Sequence, residues 1–197
     1  MVNSNKVIIV LSGKRKSGKD YIADKIFNKI GNNACVQIKL ANPIKMHFSK
    51  KFGLNFEELI TSSFYKEQVR KEMILWGNEQ RLTDPFVFCK MITNDAVSSG
   101  KNVWILTDAR LRTDVEYFKE YAIKNNFHFI CLRVVADVQT RQLRGWTFVE
   151  GVDDISSECG LDDYSDWDFV FLNSSGDNIE HDIESFCFKV KALLLKQ

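Results

Sequence analysis

The sequence predicts an α/β fold, in which helices flank a parallel β-sheet. Three observations support this prediction. Short apolar runs alternate with helical patterns of ten residues or more along the chain. The first run, KVIIVLSG, is almost entirely apolar, as expected for a strand buried on both faces. A glycine-containing loop then leads directly into a helical pattern, which is the order found in right-handed βαβ units.

The predicted elements follow one another in a regular order. We predict five strands, at KVIIVLSG, ACVQIKLA, NVWILTD, FHFICLRVVA and DFVFLN. Helices are predicted at DYIADKIFNKIG, PIKMHFSKKFG, residues 65–82, residues 84–97, residues 112–124, DVQTRQLRG and NIEHDIESFCFKVKALLLK. Residues 146–167 lack clear periodicity but contain apolar side chains that argue against disorder, so we predict a lid over residues 137–167.

Length and composition indicate one soluble domain. A chain of 197 residues with 45% hydrophobic content can bury a single sizeable core, so we expect one domain over residues 1–197. Five scattered cysteines without a C-x-x-C pair favour a reducing compartment over a disulfide framework or a zinc site. Neither a signal-peptide pattern nor an apolar stretch of about 18 residues is visible. We expect a cytosolic monomer with no membrane partner.

Charge is distributed unevenly along the chain. Residues 1–144 contain 24 Lys and Arg against 14 Asp and Glu, whereas residues 145–197 contain 3 against 12. The positive charges do not form runs and no base-reading module is apparent, so we expect no nucleic-acid partner. Small anionic substrates would explain the basic portion, and chance asymmetry is the alternative. The acidic segment either attracts Mg²⁺ or keeps the lid soluble, and we favour the second role.

The stretch SGKRKSGKD satisfies the phosphate-loop pattern G-x-x-x-x-G-K between a predicted strand and a predicted helix. A triphosphate needs backbone N–H groups turned inward, a helix N-terminus and a lysine that reaches the β- and γ-phosphates. The glycines allow the backbone geometry, and the other cations strengthen the field. We therefore assign ATP binding to Gly13, Lys14, Arg15, Lys16, Ser17, Gly18, Lys19 and Asp20.

Two aspartates are candidate Mg²⁺ ligands. Asp20 stands where the usual pattern has Ser or Thr, and it could hold the ion directly or through water, or could instead favour the start of the helix. Asp108 ends a predicted buried strand, the position of a Walker-B-like acid. Arg110 follows near the carboxyl ends of the strands, where open sheets bind ligands.

Two further groups of cations point to phosphoryl transfer. At about 100° per residue, Lys66, Arg70 and Arg81 share one helix face, which would suit an acceptor that carries its own phosphate. Arg141 and Arg144 lie three residues apart at the start of the lid and could neutralise the transferring phosphoryl group. The alternatives are a solvated helix face and a pair of helix-end cations.

These segments together resemble the animal-type phosphomevalonate kinases over residues 7–173, through SGKRKSGKD, GLNFEELITSSFYKEQVRKEMILWGNEQR, TDAR, RVVADVQTRQLRGW and GVDDISSECGLDDYSDWDFVFLN. The resemblance implies a nucleoside-monophosphate-kinase-like P-loop fold. It also implies transfer of the ATP γ-phosphoryl group, with Mg²⁺, to (R)-5-phosphomevalonate in isoprenoid biosynthesis. A nucleoside monophosphate kinase and a non-catalytic ATP-binding regulator remain the alternatives.

The resemblance also implies roles for individual residues. Arg141 would contact ATP, Asn173 would contact the substrate, and phosphomevalonate would bind Lys66, Arg70, Arg81 and Arg110. The predicted catalytic residues are Lys19, Arg110, Arg141 and Arg144. Leu111 and Lys90 stand where the family commonly has arginine, and the histidine often found just after Asn173 is missing. Either the acceptor site has fewer bidentate contacts here or these positions are peripheral.

Overall fold

The computed structural model describes residues 5–60, 64–174 and 176–195, and for residues 64–66 it describes the backbone alone. Within these residues, five parallel strands form one sheet in the order β2-β3-β1-β4-β5. The strands are β1 Val7–Ser12, β2 Cys35–Ile38, β3 Val103–Leu106, β4 His128–Val135 and β5 Phe169–Leu172. The predicted α/β class is confirmed, and each predicted strand is present.

Helices connect the strands and cover the sheet. In the described part of the chain they are α1 Lys19–Ile30, α2 Ala41–Phe52, α3 Phe56–Ile60, α4 Phe64–Thr83, α5 Val87–Ser98, α6 Arg112–Lys124, α7 Val138–Leu143, α8 Ser156–Cys159 and α9 Ile179–Leu195. Sequence periodicity did not predict α3 and α8, because five and four residues are too few to show it. None of the described helices is long and apolar enough to cross a membrane.

Helix α5 begins three residues later than the sequence predicts. The Asp84 carboxylate accepts a hydrogen bond from the Phe86 N–H at 3.0 Å, and the Asp84 carbonyl accepts one from the Val87 N–H at 3.0 Å. Pro85 also disfavours helical geometry at the residue before it. Residues 84–86 therefore form a turn, and the helix starts at Val87.

The side chains of β1 divide the core into two layers. Val7, Ile9 and Leu11 pack in one cluster with α1 and α9, while Ile8 and Val10 pack in a second cluster with α5 and α6. Successive side chains of a strand point to opposite faces, so a fully buried strand needs helices on both sides. The loop after β1 consequently starts from the centre of the sheet.

A third and smaller cluster joins the helices α2, α3 and α4. Its buried members are Phe48, Leu59 and Met73, one from each helix. The ring of His47 stacks on Trp76 with centroids 4.0 Å apart, which adds a second contact between α2 and α4. This packing places α2 and α4 side by side, and together they form one wall of the cavity described next.

Candidate active site

A cavity of about 480 Å³ lies where β1, β2 and β3 end. Its size suits a small ligand, since such pockets usually enclose about 300–1,000 Å³. The charged residues that line it are Arg15, Lys19, Lys39, Lys45, Arg70, Arg81 and Arg110 on the positive side, and Asp20, Asp108 and Glu158 on the negative side. The lining therefore carries a net charge of +4 and favours an anionic ligand.

The loop between β1 and α1 has the backbone geometry of an anion-binding turn. Lys16 and Gly18 both have positive φ, 61° and 92°, and such alternation turns successive N–H groups toward one point. A Cβ at Gly18 would lie 2.2 Å from Nδ2 of the buried Asn173, and one at Gly13 would lie 2.8 Å from the Val134 carbonyl oxygen, so both positions favour glycine. Helix α1 starts without a side-chain cap, which leaves its N-terminal N–H groups for a ligand.

The outer side of the loop is held by side chains from α7 and the end of β5. Arg141 donates from Nε to the Arg15 carbonyl at 2.8 Å and lies over the Trp146 ring at 4.0 Å. Arg144 donates to the carbonyls of Ser17 at 3.0 Å and Asn173 at 2.8 Å. Asn173 is buried, and its Nδ2 donates to the Ser17 carbonyl at 2.9 Å. The structure thus places Arg141, Arg144 and Asn173 against the loop backbone, outside the cavity lining.

Cations of the loop are paired with acids of the segment predicted to be a lid, residues 137–167, which is called the lid below. The Lys14 amine lies 2.5 Å from Asp162 Oδ2, and the Arg15 guanidinium lies 2.7 Å from Asp153 Oδ2. Lys16 is exposed, whereas the Ser17 hydroxyl is buried without a hydrogen-bond partner among the described residues. The acidic segment was expected mainly to keep the lid soluble, and the structure adds a contact that the sequence did not predict, since Asp153 and Asp162 bind the lid to the loop.

Lys19 and Asp20 form the first turn of α1 and face the cavity. Burial lowers the pKa of Lys19, and the nearby charge of Arg110 lowers it further. Burial acts to raise the pKa of Asp20, but the charges of Lys19 and Lys39 outweigh it and lower this pKa to about 2. Asp20 is therefore ionised at neutral pH, and a bound anion would stabilise the charged form of Lys19.

Asp108 lines the same cavity and caps a helix. Its two carboxylate oxygens accept hydrogen bonds from the N–H groups of Leu40 at 2.7 Å and Ala41 at 3.0 Å, at the start of α2. Among the described residues, no group of three or more His, Cys, Asp or Glu side chains is arranged to hold a metal ion. Of the three carboxylates in the cavity lining, Glu158 is bound by an arginine and a backbone N–H, which leaves Asp20 and Asp108 as candidate metal ligands together with the ligand phosphates.

The predicted acceptor cations lie on two walls of the cavity. Arg70 and Arg81 project from α4, and Arg110 follows β3. Arg70 is held by Glu67 at 2.7 Å, and Arg81 by Asp114 at 2.7 Å. The side chain of Lys66, which was assigned to the same group, lies outside the described part of the structure.

Asp114 organises these cations, and the sequence analysis missed it. Its side chain is fully buried, and besides Arg81 it accepts hydrogen bonds from the N–H groups of Arg110 at 2.9 Å and Leu111 at 3.0 Å. One carboxylate thus caps α6, sets the backbone at Arg110 and orients Arg81. The position of Asp114 in the first helical turn was visible in the sequence, but its contact with α4 was not.

Lys45 is a second functional candidate that the sequence analysis missed. It lies on α2 and lines the cavity, although only 7% of the residue is exposed. Burial lowers its pKa, with the charge of Asp108 acting in the opposite sense. Within the described residues, no hydrogen bond or ion pair holds its amine. A buried ammonium group of this kind is an anion-binding candidate.

The two departures from the family pattern lie in different environments. Leu111 lines the cavity, so the position that commonly carries arginine contributes an apolar side chain here. Lys90 is exposed, pairs with Asp84 at 2.7 Å and is not part of the cavity lining. The cavity therefore lacks one family cation, at position 111, while position 90 is peripheral.

Comparison with known proteins identifies the family of this arrangement. A family model described as phosphomevalonate kinase matches residues 11–125. The phosphomevalonate kinase of Drosophila melanogaster is 38% identical over 169 residues, which cover 84% of this chain and 87% of that protein. The crystal structure of APE1195 aligns with a TM-score of 0.51 at 14% identity, over 97% of this chain and 98% of that protein. The crystal structure of a Chloroflexus aurantiacus protein aligns with a TM-score of 0.51 at 12% identity, over 98% of this chain and 99% of that protein. These two similarities concern the fold alone.

Replacing Asp114 by Asn should destabilise the protein by about 3 kcal/mol, because the change removes a fully buried charge that Arg81 and two N–H groups use as their acceptor. Urea unfolding monitored by circular dichroism measures the change. Asp163→Asn is the matched control, since Asp163 pairs with Arg112 at the surface and its loss should cost less than about 1 kcal/mol. Equal effects of the two substitutions would contradict the role given to Asp114.

Proposed function

The chain belongs to the phosphomevalonate kinase family, and we propose that the cavity beside its phosphate loop is where the two substrates of this reaction meet. The protein is a phosphotransferase that moves the γ-phosphoryl group of ATP to (R)-5-phosphomevalonate, giving 5-diphosphomevalonate and ADP in the mevalonate pathway. The observation that best supports the proposed site is the excess of four positive charges in a cavity between the loop and α4.

The acceptor chemistry agrees with this lining. Phosphomevalonate carries a phosphate and a carboxylate, which guanidinium groups bind with two parallel hydrogen bonds. We assign Arg70, Arg81 and Arg110 to these groups, together with Lys66 on the same helix as Arg70. Lys45, which lies opposite on α2, adds a fifth cation to the acceptor site.

ATP is assigned to the loop between β1 and α1. We assign the phosphates to the N–H groups and cations of Lys14, Arg15, Lys16 and Lys19, with Ser17 and the two glycines shaping the loop. The acceptor phosphate is already an anionic nucleophile, so catalysis consists mainly of positioning and charge neutralisation. Lys19 and Arg110 face the cavity directly and would supply most of this charge neutralisation.

We assign Arg141 and Arg144 an indirect role in catalysis, in which they position the loop that binds the phosphates. Both donate to loop carbonyls, which orients the N–H groups of the same peptides toward the phosphates. Asn173 supports Ser17 in the same way. In this proposal Arg141 also contacts ATP and Asn173 the substrate, each reaching its ligand from this supporting position.

The residues present fit a Mg²⁺ ion. Asp20 and Asp108 line one cavity with Lys19, and Mg²⁺ is commonly held by one or two carboxylates together with substrate phosphates and water. When bound, the ion would neutralise charge on the β- and γ-phosphates. The low pKa of Asp20, about 2, keeps this carboxylate ionised at neutral pH for such a role.

We further propose that the protein acts in the cytosol as a monomer. All five cysteines are free, which suits a reducing compartment. The described residues that line the cavity come from one chain, which is compatible with a monomer.

An acceptor panel tests the proposed function. Coupled ADP-release assays should show turnover with phosphomevalonate well above that with nucleoside monophosphates.

Lys19→Met should lower kcat by about 100- to 1,000-fold, because one preorganised charge contact to the transition state is lost. Lys25→Met is the control, since Lys25 lies on the same helix but pairs with Glu180 at the surface. Preference for a nucleoside monophosphate would overturn the acceptor assignment, and ATP binding without any turnover would indicate a regulator.

Lys45→Met should lower kcat/KM for phosphomevalonate by about 10- to 100-fold, because a desolvated charge contact to the acceptor is removed. Steady-state kinetics with the acceptor varied measures the change. Lys50→Met provides the control, because Lys50 is exposed near the end of the same helix. Equal kinetics for both variants would exclude Lys45 from the acceptor site.

Asp20→Asn and Asp108→Asn separate the two metal candidates. The variant that removes a Mg²⁺ ligand should need a several-fold higher Mg²⁺ concentration for half-maximal activity. Asp108→Asn should in addition lower thermal stability, because the start of α2 loses part of its cap. An unchanged Mg²⁺ dependence in both variants would contradict the assignment of either acid.

A further inference from the structure

Glu158 of the lid helix α8 occupies an unusual position for a carboxylate. Its side chain is 5% exposed, and its two oxygens accept hydrogen bonds from the backbone N–H of Arg15 and from Nη1 of Arg110. It also belongs to the lining of the cavity. A lid acid is thus bound between the phosphate loop and a cation of the proposed acceptor site.

The two groups that hold Glu158 are those that a phosphate would use. Inward-facing N–H groups of such loops bind phosphate oxygens, and guanidinium groups bind carboxylates and phosphates by the same hydrogen bonds. Each donor hydrogen can be given to one strong acceptor at a time. A phosphate oxygen placed at the Arg15 N–H and at Arg110 Nη1 would therefore replace the Glu158 carboxylate.

The other lid acids do not make this kind of contact. Asp153 pairs with the guanidinium end of Arg15, and Asp162 pairs with the amine of Lys14, so both meet the loop at its side chains. Neither belongs to the cavity lining. Among the described lid residues that line the cavity, Glu158 alone is acidic.

We propose that Glu158 is an internal competitor of the substrate phosphates, whose carboxylate must leave Arg15 and Arg110 before a phosphate group can bind there. The proposal rests on the assignment of phosphates to this cavity. Two anions at one set of donors also repel each other, so binding of the ligand and docking of Glu158 exclude one another. Glu158 therefore sets the affinity for phosphate, and phosphate binding releases α8 from the loop.

The test is binding of inorganic tripolyphosphate, ATP and phosphomevalonate, each alone, to the full chain by isothermal titration calorimetry. Glu158→Gln removes the charge while keeping the side-chain size, and should tighten binding of the competing ligand by about tenfold, the effect of losing one charged hydrogen-bond competitor. Glu150→Gln is the matched control, since it removes the same charge from an exposed lid position. Unchanged or weaker binding of all three ligands, relative to this control, would overturn the proposal.

The three ligands identify which phosphate Glu158 opposes. Tighter binding of tripolyphosphate and ATP would assign the position to the donor, and tighter binding of phosphomevalonate alone would assign it to the acceptor. Because tripolyphosphate binding does not depend on acceptor identity, failure of wild-type protein to bind phosphomevalonate would count against the proposed function and leave this test intact.

A measurement on the wild-type protein covers the case in which Glu158→Gln fails to fold. Amide hydrogen exchange in the peptide that contains α8 should become faster when the competing ligand, tripolyphosphate or phosphomevalonate, is added, because the contact with Arg15 and Arg110 is lost. Slower or unchanged exchange with both ligands would show that Glu158 stays docked, and would overturn the proposal.

Discussion

The loop between β1 and α1 must satisfy its own backbone groups on two sides, and the rest of the site depends on how it does so. The N–H groups of such a loop bind an anion, while the carbonyls of Arg15 and Ser17 need donors of their own. Arg141, Arg144 and Asn173 supply those donors from α7 and from the end of β5. This requirement explains why the first helix of the lid is docked against the loop, and why Gly18 has no room for a side chain.

A second constraint is the concentration of positive charge around this loop. Seven cations line one cavity with three acids, and burial lowers the pKa of both Lys19 and Lys45. Bound phosphates would stabilise these charged groups, and phosphoryl transfer requires cations of this kind around the phosphates. The acidic lid compensates from the other side by pairing with Lys14 and Arg15. The net charge of +1 therefore results from two opposed and adjacent regions rather than from a neutral surface.

The sequence predicted much of the fold, because long apolar runs and helical periodicity are local properties. It placed the five strands and the long helices, and it failed at α3 and α8, which are too short to be periodic, and at the start of α5, where the Asp84 side chain forms a turn. Helix angle predicted a shared face for Arg70 and Arg81, and the end of a strand predicted the place of Arg110; the structure puts all three in the lining of one cavity. The sequence did not single out Asp114, which contacts Arg81 on another helix, or Lys45, which is buried beside the cavity, because both properties depend on how distant segments pack.

The sequence alone determined the α/β class, the position of the phosphate loop and the family to which the kinase belongs, because each of these depends on local pattern and residue identity. Only the tertiary structure decided how the charges are partnered. Residues 145–197 are acidic in the sequence, yet whether Glu158 faces solvent or the loop depends on how the lid folds back across more than a hundred residues. The interaction between two charges depends on their distance in space, and sequence separation does not give that distance for residues on different helices or strands.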